Sequence, residues 1–175
     1  MNFAKKELSL WQALLLSSFI FALVFLGIRL AFGVESSTLE GKKLPAFSIA
    51  ELEGGGTLTA AEIKGQYSLL NFFASWCMYC TAEHGNLKIL REKHGVRLYG
   101  IDWMDTTDKA KKWLAARGNI FEKVGFDPEG KLGVPYGVDG TPVSFLVNPD
   151  GVIILVIEGP IDNEIIKNEI LPKLK

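Results

Sequence analysis

Leu69 to His84 reads LLNFFASWCMYCTAEH, and this stretch decides the fold. Its first half continues an apolar run, Tyr67 to Ala74 (YSLLNFFA), bounded by Gly65 and Ser75. That is the pattern of a short strand buried on both faces of a parallel sheet. The second half changes period. From Cys77 to about Lys93 the apolar positions, Leu87 and Leu90 among them, fall at helical spacing, and Gly95 stands where a left-handed residue closes a helix. The chain's two cysteines, Cys77 and Cys80, lie at the junction.

Four chemistries compete for this Cys-x-x-Cys. A zinc site needs two further ligands, and His84 and His94 stand at spacings unlike a zinc finger's. Covalent haem attachment needs His directly after the second cysteine, where this chain has Thr81. A purely structural disulfide would close a very small loop and constrain the unfolded chain little. A reversible dithiol fits the position best. At a helix start the backbone N–H groups are unpaired and the dipole end is positive, so a Cys77 thiolate is stabilised below the free cysteine pKa of about 8.5. Cys77 is thus the expected nucleophile, and Cys80, one turn deeper, the residue that resolves a mixed disulfide. Trp76 is either a flat apolar platform for a partner or an ordinary half-buried tryptophan; Met78 and Tyr79 fill the space between the cysteines.

Working outward, Val96–Ile101 reads as the next strand. Thr106 or Thr107 starts a helix with Ala110, Trp113 and Leu114 inward, ending at Gly118. Phe121–Phe126 is a further short strand. Val143–Val147 and Val152–Ile157 form a hairpin across an Asp-Gly turn, and Ile161–Leu171 is a closing amphipathic helix. Upstream, Pro45–Leu52 and Thr57–Thr59 flank Gly54–Gly56 as a small hairpin. The order predicts an α/β domain with a sheet of mixed direction. Thr141-Pro142 comes just before the Val143 strand and is a candidate cis bond, with Thr141 offering backbone groups to an extended substrate.

Composition sets the frame. With 19 Lys+Arg against 20 Asp+Glu in 175 residues, no basic excess suits a nucleic-acid binder. Aromatic content of 11% excludes a disordered chain. The mean hydropathy of +0.19 traces to one segment, Leu8 to Ile28, which carries no charge. As a helix it would be about 31 Å long, enough to cross a bilayer. Lys5 and Lys6 precede it, favouring a cytoplasmic N-terminus and an exported remainder. A cleaved signal peptide with Ala31 and Gly33 at its cleavage site is the alternative, and a buried core helix a third. The expected organisation is a cytoplasmic N-terminus and transmembrane anchor over 1–33, a linker over 34–43 and a periplasmic domain over 44–175, held single-pass in a bacterial inner membrane.

These residues resemble the thioredoxin superfamily: a strand, W-C-x-x-C, a helix, and later T-P before a final hairpin. Within it the chain is similar to the CcmG/DsbE group of thiol:disulfide interchange proteins of bacterial cytochrome c maturation. Leu69–His84, Lys131–Gly151 (KLGVPYGVDGTPVSFLVNPDG) and the apolar N-terminus carry the likeness. The resemblance implies a thioredoxin-like fold, a mixed sheet flanked by helices behind a transmembrane helix. Its redox centre is a Cys77–Cys80 disulfide with no other cofactor or metal. It implies a reductant of apocytochrome c or of partner cysteines awaiting haem, itself re-reduced by a membrane electron-transfer protein. It also places Glu83 near the active site and Gly137–Pro142 beside the disulfide.

Two departures stand out. The family commonly has Pro between its cysteines, where this chain has Met78-Tyr79; the Tyr79 amide is thereby a candidate extra donor to the Cys77 thiolate. The family often has Glu-Thr-Phe after its cis-proline, and this chain has Val143-Ser144-Phe145. Glu83 is either a solvated helix glutamate or, if buried beside the sulfurs, a proton shuttle with a raised pKa. His84 reads as a packing or local capping residue, and Asp102 as a loop-start aspartate or a group facing the site. Competing functions are a broader TlpA/ResA-like reductase of exported proteins and an anchored partner-binding module with an inert disulfide.

Overall fold

The structure is a computed structural model that describes residues 10–31 and 39–174. The chain divides into two units, Met1–Ser37 and Thr38–Lys175. In the first, helix α1 spans Leu10–Ala31 (22 residues). Its described side chains, among them Trp11, Leu14, Leu15, Phe19 and Phe21, are exposed. The expectation of a transmembrane helix, and with it single-pass placement in an inner membrane, is overturned here. Among the described residues no helix is long and apolar enough to cross a membrane. A crossing needs about 20 predominantly apolar residues in one helix, and the described residues of α1 do not supply them. Lys5, Lys6, Gly33 and the first half of the expected linker lie outside the described residues.

The second unit is built on a five-stranded sheet. Its strands are β3 (Ser68–Phe73), β4 (Arg97–Trp103), β5 (Lys123–Asp127), β6 (Val143–Val147) and β7 (Ile153–Glu158). Their spatial order is β5-β4-β3-β6-β7, with β3, β4 and β5 parallel and β6 and β7 antiparallel to their neighbours. Strand β3 is central and wholly buried, as its continuous apolar sequence requires. Its side chains alternate. Leu69 and Phe73 enter the core beneath helices α2 (Met78–His94) and α3 (Thr107–Arg117), while Leu70 and Phe72 enter the core on the opposite face. That second core is covered by the hairpin β1 (Ser48–Ala50) and β2 (Thr57–Thr59) and by the short helix α4 (Gly133–Tyr136).

Several boundaries moved. The hairpin strand expected over 45–52 pairs with β2 at Ser48–Ala50, and Glu51 bridges Gly125. Lys43, within the expected linker, bridges Val152, and the Gly41 amide donates to the Ile153 carbonyl (2.8 Å), so the end of that segment lies along β7. The closing helix winds as α5 (Asn163–Ile165), a π turn (Ile166–Ile170) and a 3-10 turn (Leu171–Lys173). Pro172 has no N–H for a regular bond back to Asn168, and its ring crowds that carbonyl. Helix α2 ends as the sequence predicts, with Gly95 left-handed at φ 68° and its amide on the Arg91 and Leu90 carbonyls. Its buried stripe is Cys80, Glu83, His84, Leu87 and Leu90, the three- and four-residue spacing of a single helix face. Two of those five, Glu83 and His84, are ionisable while the cysteines are joined, and Cys80 is a third once reduced.

Candidate active site

Strand β3 ends at Phe73, and four residues later Cys77 caps α2 from an extended conformation (φ −83°, ψ 114°). The central strand therefore delivers the cysteine pair to its own C-terminal end, in the middle of the sheet, and the helix takes it up. Cys77 and Cys80 form a disulfide, with Cα atoms 5.3 Å apart, within the usual span. The Cys80 amide donates to Cys77 Sγ at 3.0 Å. An unpaired helix N–H therefore meets the sulfur that the sequence reading makes the nucleophile. The donor is Cys80's own amide, where the sequence reading had looked to Tyr79. Both sulfur residues are buried, Cys77 at 4% and Cys80 at 1% exposure; the less buried Cys77 is the one a partner meets first.

Around them the expected site residues come together. The Thr141–Pro142 bond is cis, and the Thr141 carbonyl oxygen lies 3.5 Å from Cys77 Sγ. Trp76, Met78 and Tyr79 are exposed beside the disulfide. The Trp76 indole donates to the Met104 carbonyl at 3.0 Å, fixing the ring. A cleft of about 280 Å³ is lined by Tyr79, Thr141, Pro142, Val143 and Pro160.

Glu83 is not a surface residue: it is 1% exposed. Its carboxyl accepts from Asn71 Nδ2 (2.9 Å) and from the Ile161 amide (2.9 Å). Burial, only partly offset by these bonds, raises it to about 7. Asn71 also donates to Ser144 Oγ at 2.9 Å, because Asn71 on β3 and Ser144 on β6 face each other in the antiparallel register. The sequence reading missed Asn71. Its signal was one amide in an otherwise apolar buried strand, which must find partners when folded. His84 does pack: Nε2 meets the Gly118 carbonyl at 3.0 Å, the ring stands edge-on to Trp113, and burial lowers its pKa. Asp102 faces inward and is fully buried. Among the described residues no cluster of His, Cys, Asp or Glu could hold a metal ion.

A close cysteine pair at a helix start, one sulfur bonded by a helix amide and opposed by a peptide carbonyl, is built to exchange with another molecule's sulfurs. Fold and site together define a redox enzyme, a thiol-disulfide oxidoreductase of thioredoxin-like fold. The comparisons agree. The family model for AhpC/TSA matches residues 41–156. The chain is 37% identical over 139 residues to the thiol:disulfide interchange protein HelX of Rhodobacter capsulatus, covering 79% of this chain and 78% of that protein. It is 38% identical over 160 residues to the thiol:disulfide interchange protein DsbE of Pseudomonas fluorescens biotype C, covering 90% and 89%. The crystal structure of a thiol:disulfide interchange protein DsbE from Chlorobium tepidum superposes with a TM-score of 0.69 at 30% identity, covering 78% of this chain and 98% of that one. The chain belongs to the AhpC/TSA family and, within it, to the DsbE/CcmG-type thiol:disulfide interchange proteins.

Proposed function

We propose that the protein is a specific reductant that keeps cysteines awaiting haem, on apocytochrome c or on a maturation partner, in the dithiol form. The observation that carries this reading is the Cys80 amide at 3.0 Å from Cys77 Sγ beside the Thr141 carbonyl. This geometry favours a thiolate at Cys77 in the reduced enzyme.

The steps follow from the residues. In the reduced protein the Cys77 thiolate attacks one sulfur of a partner disulfide. The partner's S–S bond breaks, its other sulfur leaves as a thiolate and takes a proton, and Cys77 is joined to the partner. Cys80 then gives up its thiol proton and attacks Cys77 Sγ. The intramolecular disulfide forms and the partner's second sulfur departs as a thiol. The partner has gained two electrons and two protons; this protein, starting with Cys77 as thiolate, gives up the two electrons and the Cys80 proton, and water supplies the other proton. A second dithiol protein restores Cys77 and Cys80 by the reverse exchange.

Glu83, on the same helix face as Cys80, is the group that takes the Cys80 proton during resolution. A carboxyl raised to about 7 is both acceptor and donor near neutral pH. Trp76, Met78 and Tyr79 supply the apolar surface on which the partner lies, and Thr141 supplies backbone groups to its extended segment beside Pro142.

The test is trapping. Reduced Cys80→Ala mixed with an oxidised apocytochrome c peptide carrying its two haem-site cysteines accumulates a mixed disulfide through Cys77, and Cys77→Ala accumulates none. Equal trapping of any unrelated disulfide protein, insulin included, would favour the broader TlpA/ResA-like reductase.

A further inference from the structure

We propose that Asp102 is a positioning residue of the redox site: its carboxyl holds a proton against the Asp105 carboxylate and so fixes the group that grips the backbone entering Cys77. Asp102 lies on β4, in register with Phe73 at the end of β3. It has no exposed surface, and neither of its carboxyl oxygens meets a donor among the described residues. Burial, and after it the neighbouring Asp105 carboxyl with which it shares a hydrogen bond, raises Asp102 to about 8.

Each Asp105 oxygen also accepts a backbone amide. Oδ2 accepts the Ser75 amide at 2.6 Å and Oδ1 accepts the Thr106 amide at 2.7 Å. Ser75 stands two residues before Cys77. The chain reaches Asp105 through a reversal at Met104, left-handed at φ 52°, a conformation that costs a non-glycine residue about 1–2 kcal/mol. The turn is pinned from both sides, by the Met104 amide on the Asp127 carbonyl (2.9 Å) and the Trp76 indole on the Met104 carbonyl (3.0 Å).

Two carboxyl groups that face each other in a dry site are both acceptors unless one carries a proton. Asp105 receives two amides and is the acceptor; Asp102 receives none and is the donor. The shared proton removes one buried charge and holds Asp105 turned toward Ser75. Its loss leaves two carboxylates in contact, turns Asp105 off the Ser75 amide, and puts a second negative charge behind the Cys77 thiolate.

The other elements around this face add little charge. Strand β3 presents Phe73 and β5 presents Phe126 in register. Helix α3 buries Ala110, Trp113 and Leu114. Helix α2 contributes Cys77, Cys80, Glu83 and His84; of these, Glu83 is bonded to Asn71 and Ile161, and His84 to Gly118.

The test uses the full chain in its disulfide form, so that no cysteine titrates, carrying Glu83→Gln to silence that carboxyl. The Ser75 amide is followed by 1H–15N NMR as pH rises. With Asp102 present its resonance moves with a midpoint near 8. With Asp102→Asn, whose side-chain NH2 gives Asp105 the same hydrogen without titrating, it stays put. In the reduced enzyme with Glu83 intact, Asp102→Asn reduces a partner disulfide within about twofold of the parent at pH 7, where about nine-tenths of Asp102 is protonated. At pH 9, where about one-tenth is, it is the faster of the two. Asp102→Leu, which cannot donate, is slow at both. A flat Ser75 titration with Asp102 present, a transition that survives Asp102→Asn, or the same rate profile for the Asn and Leu variants overturns the proposal.

Discussion

Asn71 on the central strand donates to the Glu83 carboxyl on the active-site helix across 2.9 Å, with both residues 1% exposed. The bond ties the helix that carries the cysteines to the strand that delivers them. Removing it by Asn71→Ala takes the donor from Glu83 Oε1 and from Ser144 Oγ, while the Ile161 amide still meets Glu83 Oε2. The expected cost is about 2–4 kcal/mol in urea unfolding. The lost bond also favoured the charged form of Glu83, so its titration moves further up, measurable by 13C NMR of the carboxyl.

Glu83 couples stability to pH in a stated direction. Its ordinary value of 4.5 is raised to about 7 in the folded protein. Between those values the folded state holds a proton the unfolded state has lost, so stability falls as pH rises from about 4.5 to about 7 and is level above. The shift corresponds to about 3 kcal/mol. The difference in unfolding free energy between the parent and Glu83→Gln should show this slope, and equal slopes in the two would contradict it. The same substitution should flatten the pH profile of Cys80-dependent resolution.

Tyr79→Pro restores the residue common between the cysteines of this family. The amide that meets Cys77 Sγ belongs to Cys80 and survives the change, and proline is tolerated in a first helical turn. The reduction potential should move by less than about 30 mV, the equivalent of one ordinary hydrogen bond. A larger shift would mean that the Tyr79 amide does act on the thiolate, as the sequence alone had suggested.

Gly100 on β4 sits under the ring stack behind the site. A Cβ there would lie 2.8 Å from Phe73 Cε1 and 3.2 Å from Phe121, whose rings stack with centroids 5.1 Å apart. Both rings are buried, so neither can swing away into solvent. Gly100→Ala should cost about 1–3 kcal/mol by overpacking, read as a lowered melting temperature.

Much of this was legible in the chain. The break from the continuous apolar run of YSLLNFFA to helical spacing placed β3 and α2, and Gly95 marked the helix end, because each depends on local pattern. The cysteine pair and Thr141-Pro142 were legible as motifs. What escaped depends on register. Asn71 and Ser144 are 73 residues apart and meet only because β3 and β6 pair antiparallel at that step. Whether Glu83 faced solvent or core, and whether Asp102 faced the site, turned on which side of an element each side chain took. Helix α4 was read as loop: with Pro135 in only four residues it carries no period to detect. The apolar N-terminal run suggested a membrane crossing, and the described part of α1 does not meet that requirement.

The proposed direction of electron flow is tested most directly by equilibrating the protein with glutathione buffers of graded potential and measuring the fraction of Cys77–Cys80 disulfide. A reductant should balance at a potential well below that of the glutathione couple's usual oxidising compartments, in the range of thioredoxin at about −270 mV. A midpoint near about −120 mV, that of a dedicated disulfide donor, would contradict a reducing role and make this protein an oxidant.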